Sequence, residues 1–341
     1  MRYLFPVLES SVYLNTAYVG PMSNELYNYR KKIEKQFLNN GDKFKIDSLE
    51  KISFYKKTIS SFINSKSENT FFTINFSTGF RYILDLIPSG AAILTIKNDY
   101  DSLLSALNER DFKIDYVEIS PDYENEIEKQ LKKKSYLVLA LSVVQFISGI
   151  KIDFEKLNEI KKNNPNLIII GDTTQFVGSE IFDFNNSPFD VVVGSGYKWL
   201  LAGFGNAYFS VSDDFIAKTN SSTNLIFDKV YSGHINYLGA SSLNFSIKFL
   251  QDNDFKTLIQ KKKKLSLLLR DELDNLGLIA PIVKKRKSHS GIFNIPGNKN
   301  LHKKLMKNGI RCSLRGDGVR VSVHFYNNSS DIKKLIKVLK N

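Results

Sequence analysis

The sequence predicts an α/β protein: a mostly parallel sheet of seven strands with helices on both faces, followed by a smaller α+β unit. Three observations carry this. Short runs rich in β-branched residues alternate with helical stretches from Phe71 to Val211, the pattern of strands buried on both faces. Polar clusters follow several of these runs: Ser77-Thr78, Asn98 to Ser102, Gln145, Asp172 to Gln175 and Ser195 to Lys198. In an open parallel sheet ligands bind outside the carboxyl ends of the strands, so these clusters converge on one edge. After Tyr208 the alternation gives way to longer helices and a few short strands.

Taken in order, Tyr13 to Pro21 is an extended entry that turns at Gly20-Pro21. Ser23 or Asn24 caps a helix to about Phe37, and a second helix runs from Asp47 to Ser65. Strands are expected at 71–76, 91–96, 114–119, 137–144, 167–171, 191–194 and 207–211, with the direction of the last left open between parallel and antiparallel. Helices between them are expected at 80–87, 102–110, 123–134 and 154–163. A helical region spans 244–276. Short strands at 291–295 and 319–323 and helices at 301–307 and 331–339 complete the smaller unit. The expected division is an N-terminal segment 1–20 packing near the small unit, a large domain 21–243 and a small domain 244–341.

Composition narrows the function classes. Hydrophobic residues make up 42% and charged residues 24%, which is ordinary for a globular protein with a sizeable core. The single cysteine, Cys312, forbids an intrachain disulfide and suggests a reducing compartment. The N-terminus is a poor signal peptide, and no apolar run is long enough to span a bilayer, so a cytoplasmic enzyme without membrane partners is expected. The net charge is +13, but the lysines are dispersed. The runs Lys261-Lys264 and Lys284-Lys287 read as solvated faces rather than a nucleic-acid surface. The four histidines, His234, His289, His302 and His324, lack metal-ligand spacing, so no metal site is expected.

Two stretches organise the chemistry. Leu167-Ile168-Ile169-Ile170-Gly171 ends in Asp172, and Val191-Val192-Val193-Gly194-Ser195 leads to Lys198. Alone, Lys198 reads as a lysine that snorkels to solvent, and Asp172 as a cap or ion-pair partner. Together they suit pyridoxal 5'-phosphate. A desolvated lysine has a lowered pKa and becomes a Schiff-base nucleophile. A buried carboxylate can keep the pyridine nitrogen protonated. Ser77-Thr78-Gly79, read as a turn from strand into helix, offers hydroxyls and backbone N–H groups to a phosphate. Ser195 adds a hydroxyl, Tyr100 a stacking ring, and Gln175 an amide that would reach the phenolic oxygen.

Several segments resemble the class V aminotransferase family, which are fold-type I pyridoxal-phosphate enzymes that include cysteine desulfurases and kynureninases. They are Tyr13 to Ala17, Asp99 to Ser102, Ser142 to Gly149, Asp172 to Gly178, Ser195 to Leu200 and Gly318 to Asn327. By position, the resemblance implies that Lys198 is the Schiff-base lysine and general acid/base, and Asp172 the ring-nitrogen partner. It makes Thr78, Ser195 and Ser77 phosphate ligands. It gives Arg320 to the substrate carboxylate, with Gln145 and Asn15 as substrate neighbours and Arg315 as a second anion-binding candidate. A homodimer and an amino-acid substrate follow from the resemblance alone. Transamination is the family default. A lyase of desulfurase or kynureninase type is the alternative, and a non-catalytic cofactor-binding relative the reading from another class. Two departures stand against a desulfurase. Cys312 lies outside any loop matching the sulfur-carrying cysteine, and Tyr197 replaces the histidine usual before the lysine. Ala240 replaces a threonine that reaches the neighbouring subunit's phosphate, with Ser241 or Ser242 as substitutes.

Overall fold

A computed structural model describes residues 1–341. Twelve strands occur in chain order: β1 Val12–Tyr13, β2 Thr70–Thr73, β3 Ala92–Ile96, β4 Lys113–Val117, β5 Val138–Ser142, β6 Ile168–Asp172, β7 Val191–Ser195, β8 Ala207–Val211, β9 Ile292–Pro296, β10 Ile310–Arg311, β11 Ser313–Arg315 and β12 Gly318–Ser322. The central sheet has seven strands in the order β2-β8-β7-β6-β5-β3-β4. All neighbours pair in parallel except β8, which runs antiparallel to β2 and β7. The expected fold class is therefore present.

The side-chain period of two explains the two cores. In β6, Ile169 joins the larger core while Ile168 and Ile170 join the smaller one beneath the helix Phe76–Leu84. In β7, Val192 faces the first core and Val191 and Val193 the second. Continuing that alternation, Asp172 and Ser195 end their strands on the side of the helix Phe76–Leu84.

Several expectations need correction. The helix expected from Phe80 begins at Phe76, because the Asn75 side chain accepts the Thr78 N–H and caps it there. Ser77-Thr78-Gly79 is thus the first helical turn, not a loop. The two N-terminal helices are one run, Asn24–Phe62, kinked at Gly41, whose φ of 52° breaks the helical geometry. The 244–276 stretch is two helices, Tyr237–Asp252 and Phe255–Asn275, and Asp254 at φ 54° makes the break. The first of these runs uninterrupted through residues 243 and 244.

The C-terminal part holds a three-stranded antiparallel sheet, β11-β12-β9. The N-terminal segment straps onto it. β1 pairs in parallel with β10, the Ser322 N–H donates to the Leu14 carbonyl, and Asn327 donates to the Tyr13 carbonyl. No helix is long and apolar enough to cross a membrane.

Candidate active site

Asp172 closes β6 in register with Ser142 of β5 and Val193 of β7. Its carboxylate accepts the Thr174 N–H at 2.8 Å. Thr174 Oγ1 in turn accepts the Ser195 N–H at 3.2 Å, and Ser195 Oγ accepts the Phe76 N–H at 3.1 Å. One chain of hydrogen bonds therefore ties the ends of β6 and β7 to the N-terminus of the helix Phe76–Leu84. Ser195 keeps its hydroxyl proton free to donate.

Lys198 lies in the turn after β7 and is only 7% exposed. Its amine makes no hydrogen bond within the protein and sits 5.6 Å from the centre of the Tyr100 ring and 5.5 Å from that of Tyr197. Burial lowers its pKa to about 8, the Asp172 carboxylate opposes that shift, and Arg320 and Arg315 reinforce it. Burial raises the Asp172 pKa to about 6, although hydrogen bonds from Thr174 and the Lys198 charge pull it down. The two groups are close enough to feel each other.

Arg320 lies in the middle of β12, almost fully buried. One terminal nitrogen donates to the Phe146 carbonyl at 2.6 Å, while its Nε is buried without a partner. None of the ion pairs in the fold involves it, although a buried charge without a counterion is costly. Burial lowers its pKa to about 10, and Arg315 reinforces this. Arg315 also lacks a carboxylate partner and lies over the Tyr18 ring at 5.0 Å. Asn15 Oδ1 is a second orphaned buried atom. An amino acid offers what these groups lack, a carboxylate for the guanidinium and an N–H donor for the amide oxygen.

Other expected residues take different roles. Gln175 is partly engaged: its Nε2 donates to the Ala17 carbonyl at 2.9 Å, and its Oε1 accepts the Trp199 Nε1–H at 2.8 Å, which leaves one amide proton. It fastens the N-terminal strap to the lysine turn. Gln145 Oε1 accepts the N–H groups of Ile147 and Ser148. It thus shapes the turn whose Phe146 holds Arg320 and packs edge-on to Tyr100 at 5.7 Å. The Ser77 hydroxyl is engaged by Arg81. Gly79 serves packing, since a Cβ there would lie 3.0 Å from Thr73 Oγ1 and 3.2 Å from Val193. The Thr78 hydroxyl has no partner and lines a cavity of about 280 Å³ with residues 230–236 and Ala240. Ser241 and Ser242 are buried, and both hydroxyls donate to the Leu238 carbonyl.

Three supporting residues escaped the sequence reading. Asp99 accepts the Tyr100 N–H and both the N–H and hydroxyl of Ser142, so it fixes the Tyr100 turn against β5. Its signals were a carboxylate following a strand and its place in the segment Asp99 to Ser102. His324 Nδ1 accepts the Phe325 N–H, which leaves Nε2–H to donate to the Trp199 carbonyl at 3.0 Å. Gly20 donates to the Tyr197 carbonyl at 2.9 Å, and a Cβ there would lie 2.2 Å from the Lys198 carbonyl oxygen. Both hold the segment that presents the lysine.

These residues fit pyridoxal 5'-phosphate. A buried amine without a hydrogen bond stands beside a buried carboxylate, with a tyrosine ring near the amine and hydroxyls of Ser195 and Thr78 left to donate. The comparisons agree with the fit. A family model, aminotransferase class-V, matches residues 20–335. A probable cysteine desulfurase of Ureaplasma parvum is 24% identical over 89% of this chain and 85% of its own. The structure of a mutant of C-DES, with glycine covalently linked to its PLP cofactor, superposes with a TM-score of 0.90 at 15% identity, over 100% of this chain and 99% of that one. The cystine C–S lyase C-DES in complex with its product cysteine persulfide superposes with a TM-score of 0.88 at 16% identity, over 99% of both chains. With the match spanning both the strands that deliver Asp172 and Lys198 and the strand that carries Arg320, the chain belongs to the class-V aminotransferase family of pyridoxal-phosphate-dependent enzymes.

Proposed function

We propose that this chain is a carbon–sulfur lyase acting on a sulfur-bearing amino acid, and that the sulfur leaves on the departing fragment rather than on an enzyme thiol. The relatives named a probable cysteine desulfurase and a cystine C–S lyase support lyase chemistry over the transamination expected from the family default. The observation that carries the second half is Cys312. It is the sole cysteine, is 5% exposed, and burial pushes its thiol up to about 12. Only a thiolate attacks sulfur efficiently, so this residue is a poor sulfur carrier.

The overall reaction balances without an enzyme thiol. The amino acid and water give pyruvate, ammonia and a thiol or persulfide. The Cβ–S bond breaks, and the sulfur keeps the electron pair and takes up a proton. When bound, pyridoxal phosphate supplies the protonated ring that withdraws the electrons left by loss of the α-proton. Lys198 anchors the cofactor and moves that proton, since a pKa near 8 suits both taking and giving it near neutral pH. Asp172, ionised at neutral pH, holds the proton on the ring nitrogen. Thr78 and Ser195 bind the phosphate, Tyr100 lies by the ring, and Arg320 with Asn15 orients the substrate. The reading includes a homodimer. Exposed apolar side chains along the kinked helix, among them Phe37, Leu38, Ile46, Leu49 and Phe54, support burial against a second copy.

Incubating the cofactor-loaded protein with cystine tests this. Pyruvate and persulfide should appear in equal amounts, and Cys312→Ala should retain the activity. Amino transfer to a 2-oxo acid without pyruvate release from cystine overturns the lyase reading. A folded, cofactor-loaded Cys312→Ala protein that releases no sulfur overturns the account of the thiol.

A further inference from the structure

The two lysine runs that read as solvated faces do not both stay in solvent. Lys262 and Lys263 from the first and Lys287 from the second line one cavity of about 430 Å³, together with Lys151, Arg270 and Glu180. The cavity lies between the helix Phe255–Asn275 and the segment leading into β9. Five cationic side chains thus share it with one carboxylate. Glu180 pairs with Lys151 at 2.7 Å, and the other four cations have no ion-pair partner. Lys262 is 4% exposed and its amine makes neither a hydrogen bond nor an ion pair. It lies over the Trp199 ring, whose centre is 5.4 Å away. Room for it is made at Gly291, where a Cβ would stand 3.0 Å from Lys262 Cε.

A lysine is rarely buried without an acid, because desolvating an ammonium costs several kcal/mol unless it is compensated. Only the Trp199 ring and the field of Glu180, a carboxylate already paired with Lys151, offset the burial of Lys262, and neither gives its amine a hydrogen bond. The ring nitrogens of His289, which also borders the cavity, both face backbone carbonyls, those of Ser290 and Ser148, at 2.8 Å. They offer nothing to the amine. The volume is of the size that binds small molecules.

We propose that this cavity is a second ligand site, separate from the cofactor site, that binds a small polyanion bearing phosphate groups, with Lys262 as its central anchor. Lys263, Arg270 and Lys287 supply charge around it. Glu180 opposes binding by neutralising Lys151.

Inorganic pyrophosphate titrated into the cofactor-loaded protein at about 0.15 M salt, where diffuse surface attraction is screened, tests the proposal. Trp199 is the only tryptophan and reports from within reach of Lys262. Its fluorescence should change saturably. Lys262→Met should weaken binding about tenfold or more, while Glu180→Gln should tighten it. The cofactor-free protein should bind pyrophosphate as well as the loaded one does, so the result stands apart from the fate of the lyase reading. Absence of saturable binding, or equal affinity in Lys262→Met, overturns the site. Should Lys262→Met fail to fold, the Arg270→Gln/Lys287→Gln protein must melt normally and bind more weakly. Unchanged affinity there overturns the proposal as well. So does an oligonucleotide that binds and is not displaced by pyrophosphate, because the cations would then serve a nucleic-acid surface.

Discussion

Lys198 and Asp172 show how burial turns ordinary side chains into reagents. The amine is nucleophilic only when neutral, and its lowered pKa means that it loses its proton near pH 8 instead of above 10. The rate at which the cofactor-free protein takes up pyridoxal phosphate, followed by visible absorbance, should therefore rise with pH through a midpoint near 8. A rate still climbing steeply above pH 9 would mean that the lysine is not desolvated. Asp172 works in the other sense. Its raised pKa makes the carboxylate take a proton as pH falls through about 6, and its hold on a ring N–H weakens below that point. Arg320 has an orphaned Nε and no acid of its own. Arg320→Ala should raise KM for the amino acid about tenfold or more, as loss of a charge-assisted contact does, and leave cofactor absorbance intact. Equal KM values would remove the carboxylate assignment.

At the scale of elements, the sheet strands were legible because each is a short apolar run, most of them rich in β-branched or aromatic residues, and most boundaries shift by only one to three residues. The first turn of the helix Phe76–Leu84 was not. Its start depends on Asn75 capping Thr78 and on Ser195 accepting from Phe76, and the latter contact spans 119 residues. The turn between β6 and β7 has its own constraint. Gly178 has a φ of 90°, and a Cβ there would lie 2.7 Å from the Trp199 carbonyl carbon. Gly178→Ala should cost about 1–3 kcal/mol of stability and loosen the lysine turn, so the protein should melt earlier and release cofactor faster on dialysis. A variant with unchanged melting and retention would show that the turn yields easily.

Across the whole molecule, the N-terminal strap joins distant parts of the site. It carries Asn15 and Gly20, pairs β1 with β10, and is pinned at its start by Arg2, which donates to Asp331 at 2.6 Å. Asp331 also accepts from Asn327 and completes the capping box of the C-terminal helix with Asn328. Asp331→Ala should cost about 2–3 kcal/mol through the lost cap and pair, measured by denaturant unfolding, and should weaken cofactor retention because the strap touches the lysine turn. Loss of stability with fully retained cofactor would uncouple the two. By itself the sequence determined the α/β class, the acid and lysine at neighbouring strand ends, and the family, because these are written in local runs and short motifs. Tertiary structure alone decided which side chains remain free. Gln175 and Ser77 have their polar groups engaged by other protein groups, whereas Arg320, Asn15 and Lys262 keep polar atoms unpartnered. Hydrogen-bond satisfaction depends on neighbours far along the chain, and no local pattern records it.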